Sequence, residues 1–273
     1  SEGTTLEVMA DTEFSLAPDI GIEIEGNFRA TDAWIGGFSS AGIYVGENGN
    51  LQMSSTLYSG GPITVGSLGT ANLSSVTVSD APLTVSANGI LEITGGKISQ
   101  TDICIRSTGT LNVQDTVFEN CDMYALWATD SSLSVGDIKI ANGNSNGAWI
   151  QQSSGSISGW DSADYDGPGS ALFLQMVDDS LSVTGMTLSS GSLDPALRIE
   201  HADNFELSDS TINGSPGIYI EESDVRLKSV DLIGHGDGTG IEVFGTPSAG
   251  TIIDDCDIDG YSIGLLLSSE SGD

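Results

Sequence analysis

Residues 207–223, "LSDSTINGSPGIYIEES", and residues 227–244, "LKSVDLIGHGDGTGIEVF", carry one pattern twice. In each, apolar and polar residues alternate, a turn rich in Gly, Ser and Asp follows, and an apolar pair flanking one residue closes the segment: Ile218/Ile220, then Ile241/Val243. Alternation with a period of two puts one set of side chains on the inner face of an extended strand, whereas a helix repeats its apolar face roughly every 3.6 residues. The stretch therefore reads as strand, turn, strand.

The closing pair recurs along the whole chain. Upstream it stands at Ile22/Ile24, Ile43/Val45, Ile63/Val65, Leu83/Val85, Ile103/Ile105, Tyr124/Leu126, Ala148/Ile150, Leu172/Leu174 and Leu197/Ile199, and downstream at Ile263/Leu265. Successive pairs lie 20 to 25 residues apart, the period of a stacked solenoid. A second strand follows about eight residues after the pair, as at Leu111/Val113 and Val225/Leu227, and a third about thirteen residues after it, as at Phe118 and Leu232. Gly, Asn, Asp and Ser fill the gaps with turn chemistry. Each repeat is thus three short strands and three turns.

These two segments resemble the generic repeats of the pectate-lyase-like right-handed parallel β-helices. The resemblance spans residues 20–267 and implies an all-β fold: a single-stranded right-handed parallel β-helix of about twelve coils of 20 to 25 residues, three strands per coil. Stacked at a strand spacing of about 4.8 Å, the coils make a rod on the order of 55 to 60 Å long. One domain covers residues 1–273, with an incomplete coil at 1–19 and a tail at 268–273, and it reads as a piece of a longer surface protein or of an assembly stacked through uncapped ends. Lyases, hydrolases, adhesins and spikes share this fold, so it transfers no activity by itself.

The charge narrows the partners. Seven Lys+Arg against 39 Asp+Glu give a net charge of −32, a field that repels nucleic acid, acidic membrane surfaces and acidic polysaccharides. Other protein subunits, cations and neutral glycans remain. No apolar run is long enough to insert in a membrane. The acidic excess suits a salty or calcium-containing extracellular medium. Cys104, Cys121 and Cys256 lack the paired spacing of a zinc site and read as buried small apolar residues.

Candidate sites follow from the alternation, because the residue between each inward pair points outward. Down the rod these are Glu23, Tyr44, Thr64, Thr84, Cys104, Ala125, Trp149, Phe173, Arg198, Tyr219, Glu242 and Gly264. Trp149, Phe173, Arg198 and Tyr219 fall on consecutive coils and are expected to stack as a ladder with a guanidinium between aromatic faces, a surface for sugar rings or another protein. For calcium, Asp255, Asp257 and Asp259 in "DDCDIDG" echo a loop opening of the D-x-D-x-D-G kind, but its twelfth, acidic position falls on Leu266. Asp161, Asp164 and Asp166 in "WDSADYDGPG" form a second acceptor-rich loop. No cofactor other than calcium is indicated.

Of the motifs that polygalacturonases of this fold carry, Gly234-His235-Gly236 matches one. Asp178-Asp179 lies more than two coils ahead of it, Arg198-Ile199-Glu200 lacks the lysine and precedes the histidine, and no Asn-Thr-Asp occurs. His235 reads as turn punctuation. The expectation is a non-catalytic extracellular or cell-surface structural or adhesive solenoid, with a neutral-glycan binding module or polysaccharide-active enzyme as the alternative.

Overall fold

A computed structural model of the chain describes residues 4–17, 19–37, 40–142, 146–163, 165, 167–191, 194–245 and 250–268. Its strands pair in parallel and wind into one continuous sheet, so the chain is a parallel β-helix of about 11 turns. First strands include Ile43–Val45, Ile63–Val65, Asn146–Gln151, Leu172–Gln175, Leu197–Glu200, Ile218–Glu221, Thr239–Phe244 and Ile263–Ser268. In the long strands Ile90–Ser107 and Val117–Thr129 the pairing continues through the corner before the first strand, where Gln100 and Asn120 are left-handed.

The alternating residues do what their spacing demands. Leu172, Leu174, Leu197, Ile199, Ile218 and Ile220 point inward and are fully buried, each resting on its counterpart one coil away. Each such side chain contributes about 1.5 to 3 kcal/mol by leaving water. Small hydroxyls extend the same stacking to a corner of the core, where Ser131 Oγ donates to Ser107 Oγ at 3.2 Å and Ser131 N donates to Ser153 Oγ at 3.1 Å.

The corner between second and third strands is uniform. Two residues separate Asn27–Thr31 from Trp34–Gly36, Asn50–Ser54 from Leu57–Ser59, Ser132–Gly136 from Lys139–Ala141, and Leu181–Thr184 from Thr187–Ser189. The first of the two adopts left-handed geometry in coil after coil, as Asp32, Ser55, Asp115, Asp137 and Asp209, with φ between +47° and +51°. Asp and Ser tolerate that region because their short side chains bond to nearby backbone. The corner leading to the next first strand varies instead, from three residues between Ser59 and Ile63 to seven between Ser189 and Leu197.

Four sequence readings change. The outward column slips by two residues in two coils: Leu83 pairs with Ile105 and Val85 with Ser107, so Ile105/Ser107 and then Leu126/Ala128 are the inward pairs, with Arg106 and Trp127 outward in place of Cys104 and Ala125. Val78 pairs with Ile98, 20 residues on, but Leu83 with Ile105, 22 on, so two extra residues in the corner between Ile98 and Ile105 produce the slip. In the last coil Leu265 and Leu267 continue the inward column below Ile241 and Val243, which makes Leu266, not Gly264, the outward residue. Cys104 and Cys121 are buried, but as a disulfide with Cα atoms 5.7 Å apart rather than as free thiols; Cys256 is free and half-buried. Finally, "WDSADYDGPG" turns into the rod rather than away from it: Trp160 and Tyr165 are buried, and Asp161 bridges Lys139 and Thr187 in the third-strand column.

Candidate functional site

The corrected register lengthens the outward ladder. Arg106, Trp127, Trp149, Phe173, Arg198 and Tyr219 are Cα partners in unbroken succession over six coils. The Arg106 guanidinium lies 4.5 Å from the Trp127 ring centre. Trp127 stacks on Trp149 at 5.3 Å and 9°, and Trp149 on Phe173 at 5.7 Å and 11°. Arg198 then sits between Phe173 and Tyr219, 5.3 Å from each ring. Tyr124 tilts against both indoles, at 5.7 Å and 6.1 Å. Stacked pairs of this kind add about 0.5 to 1.5 kcal/mol each beyond area burial.

Parallel strands explain the stack. Side chains in register are one strand spacing apart, about 4.8 Å, close to the separation of offset-stacked rings. Because the rings face their neighbours along the rod, the faces of Trp127, Trp149 and Phe173 are occupied and only part of their edges meets solvent; the indole N–H of Trp149 is buried without a hydrogen-bond partner.

A polar column runs beside the rings, two residues further along each strand: Gln151, Gln175, Glu200 and Glu221. Glu200 is buried and both its oxygens are engaged, one by Arg198 and the other by Gln175 Nε2 at 3.2 Å. Glu221 accepts from the Tyr219 hydroxyl at 3.2 Å and lies 3.9 Å from Arg198. Burial first, then the charge and hydrogen bond of Glu221, push the Tyr219 phenol up to about 12. It stays protonated near neutrality, which leaves it a hydrogen-bond donor and not a base.

The four predicted ladder residues are thus brought together; Arg106 and Trp127 were missed. A signal for Trp127 was present, since it precedes Trp149 by 22 residues, one coil. Among the calcium candidates that are described, Asp255, Asp257, Asp259 and Asp161 do not gather. Among the described residues no three His, Cys, Asp or Glu side chains are placed to hold a metal ion. Asp255 takes a left-handed corner position near the Ser229 hydroxyl, and Asp257 and Asp259 lie on an exposed third strand, Asp257–Asp259. Asp161 accepts from Ala163 N at 2.9 Å, while Asp164 and Asp166 lie outside the described residues. His235, Asp178 and Asp179 are exposed outside the named strands, Asp178 as a bridge to Asp203. No described helix is long and apolar enough to cross a membrane.

No family profile and no curated protein matches the chain. Among solved structures, the bacteriophage CBA120 tailspike protein 3 aligns with a TM-score of 0.58 at 9% identity, over 98% of this chain and 55% of that one. The A-module of the Azotobacter vinelandii mannuronan C-5 epimerase AlgE6 aligns at 0.44 and 10% identity, over 100% and 90%. The Streptococcus pneumoniae surface adhesin PfbA aligns at 0.27 and 10% identity, over 99% and 85%. At such identities a likeness speaks for fold alone, and the fold is the parallel β-helix.

Proposed function

We propose that the chain is a non-catalytic structural or adhesive rod of an extracellular or cell-surface protein. The observation that carries this reading is the internal commitment of the ladder face. Rings are stacked on rings, Glu200 is held by Arg198 and Gln175, and Glu221 by Tyr219 and Arg198. Catalysis of glycan cleavage needs an acid and a base converging on one bond, with protons to give and take; here the carboxylates brace one coil against the next. The buried disulfide supports an oxidising compartment. The test is a turnover screen on neutral and acidic polysaccharides, with and without calcium. The rod is expected to leave them intact. Chain cleavage, elimination or epimerisation that disappears in Glu200→Gln overturns the reading.

A second reading is binding of a neutral glycan along the ladder. The Gln151 and Gln175 amides in the polar column favour it, because they lie beside the ring edges and are spaced by one coil. Replacing Gln151 alone with Ala spares both the stack and the Gln175 bond to Glu200, so loss of glycan retention with an unchanged melting temperature assigns binding to this face. Unchanged retention removes it.

A further inference from the structure

We propose that the outward face of the second-strand sheet is a lateral interface, and that its partner is a second copy of this chain. The proposal is independent of the ladder, which lies on another face. It rests on where the charges are not. From Asn50–Ser54 to Leu181–Thr184 the second strands stack in unbroken register over seven coils. Their outward positions are Asn, Gln, Ser, Thr, Gly and one Ile, and Glu92 is the one charged residue among them. In a chain with a net charge of −32, this strip is conspicuously uncharged.

The strip carries hydrogen bonds of its own, and it is indented at one end, where Gln52, Ser54, Asn72 and Ser74 line a cavity. Its side chains are short, and neighbouring coils already bond across it: Asn50 Nδ2 donates to Asn27 Oδ1 at 3.1 Å, and Asn112 Nδ2 to Glu92 Oε1 at 3.4 Å. Groups already ordered lose little freedom on association. Five residues of strand give a width of about 17 Å, and seven coils a length of about 30 Å. That is roughly 500 Å² per partner, or about 1,000 Å² in total, the lower bound for a specific interface.

Electrostatics then selects the partner. Two copies approaching through the Asp-lined corners set carboxylates against carboxylates, which costs several kcal/mol, whereas the uncharged strip lets like-charged rods meet without that opposition. Apposed sheets of short Ser, Thr, Asn and Gln side chains can interdigitate about 10 Å apart and exchange hydrogen bonds in a self-complementary pairing. The remaining long-range repulsion is screened by salt, so pairing is salt-gated.

The experiment is sedimentation velocity from about 0.1 M to about 1 M NaCl, where the Debye length falls from about 10 Å to about 3 Å. The dimer dissociation constant is expected to fall by about tenfold or more. The triple substitution Asn112→Glu/Ser134→Glu/Ser156→Glu is expected to stay monomeric throughout with unchanged far-ultraviolet circular dichroism. A matched set on the third-strand face, Thr77→Glu/Thr187→Glu/Thr211→Glu, is expected to pair like the wild type. Should the triple variant fail to fold, Ser156→Glu alone carries the test. Mixing the Glu variant with its Lys counterpart at the same positions is expected to restore a heterodimer. A wild type that is monomeric at every salt concentration overturns the proposal, as does a Glu variant that pairs unimpaired. Retention of a neutral glycan that the Glu variant loses, in a chain that stays monomeric, reassigns the face to glycan.

Discussion

At the scale of single residues, Arg198 is the joint of the ladder face. It fills the space between Phe173 and Tyr219 and neutralises the buried Glu200. Removing one member of such a pair leaves a charge stranded, whereas removing both charges does not. Arg198→Met is therefore expected to lower stability by about 2 kcal/mol, less than a fully buried pair because the guanidinium is partly in water. Arg198→Met/Glu200→Gln is expected to recover most of that loss, and denaturant titration of the two variants measures the difference. Tyr219 gives a pH signature. Its phenol is raised from 10.0 to about 12 in the folded chain, so the proton is bound more tightly folded than unfolded. This contribution is complete below pH 10 and is lost as pH rises to about 12, through the same interval. Burial also raises the phenols of Tyr58 and Tyr261, so spectrophotometric titration at 295 nm should show Tyr219 as one of several late phenols. The late amplitude is expected to fall by one phenol in Tyr219→Phe and one phenol to ionise earlier in Glu221→Gln, and an undiminished late amplitude in Tyr219→Phe contradicts the assignment.

At the scale of the element, the Cys104–Cys121 disulfide closes a 17-residue separation at the coil where the register shifts. By loop-closure entropy its removal is expected to cost about 3 kcal/mol. Guanidinium unfolding of Cys104→Ser/Cys121→Ser checks this, and an unchanged midpoint contradicts it. Trp127 and Trp149 stack nearly parallel on successive coils, so their near-ultraviolet circular dichroism is expected to collapse in Trp127→Phe while the far-ultraviolet signal stays. The same coils mark the limit of what the residues reveal. Most first strands announce themselves because Ile, Leu or Val fills both inward positions, but Ser107 and Ala128 occupy inward positions with little apolar signature. Ile103 and Tyr124, one step too early, look like better core residues than they are. The ladder was therefore legible from Trp149 to Tyr219 and lost its first two members. The disulfide was illegible for a related reason: 17 residues is not a coil length, and only the irregular register brings Cys104 against Cys121.

At the scale of the whole molecule, the period, the fold and the acidic exterior were all legible, because a solenoid writes its geometry into every repeat. Stacking also concentrates charge where corner carboxylates fall on successive coils about one strand spacing apart, as Asp115 and Asp137 do. Self-repulsion of this kind weakens the compact state and salt relieves it. The melting temperature is expected to rise by several degrees between low and molar NaCl, as read by scanning calorimetry; a flat or falling trend contradicts the charge argument. The contrast between the corners reaches further. A coil cannot change length at the corner after its second strand without rotating every left-handed residue out of its column, but the corner before the next first strand already accommodates different lengths. The corner after the first strand varies too, from two residues between Gln151 and Ser154 to five between Gln175 and Leu181, so guest sequence, whether acquired by duplication and drift or spliced in by design, enters the rod at either of these corners while the one after the second strand keeps its shape.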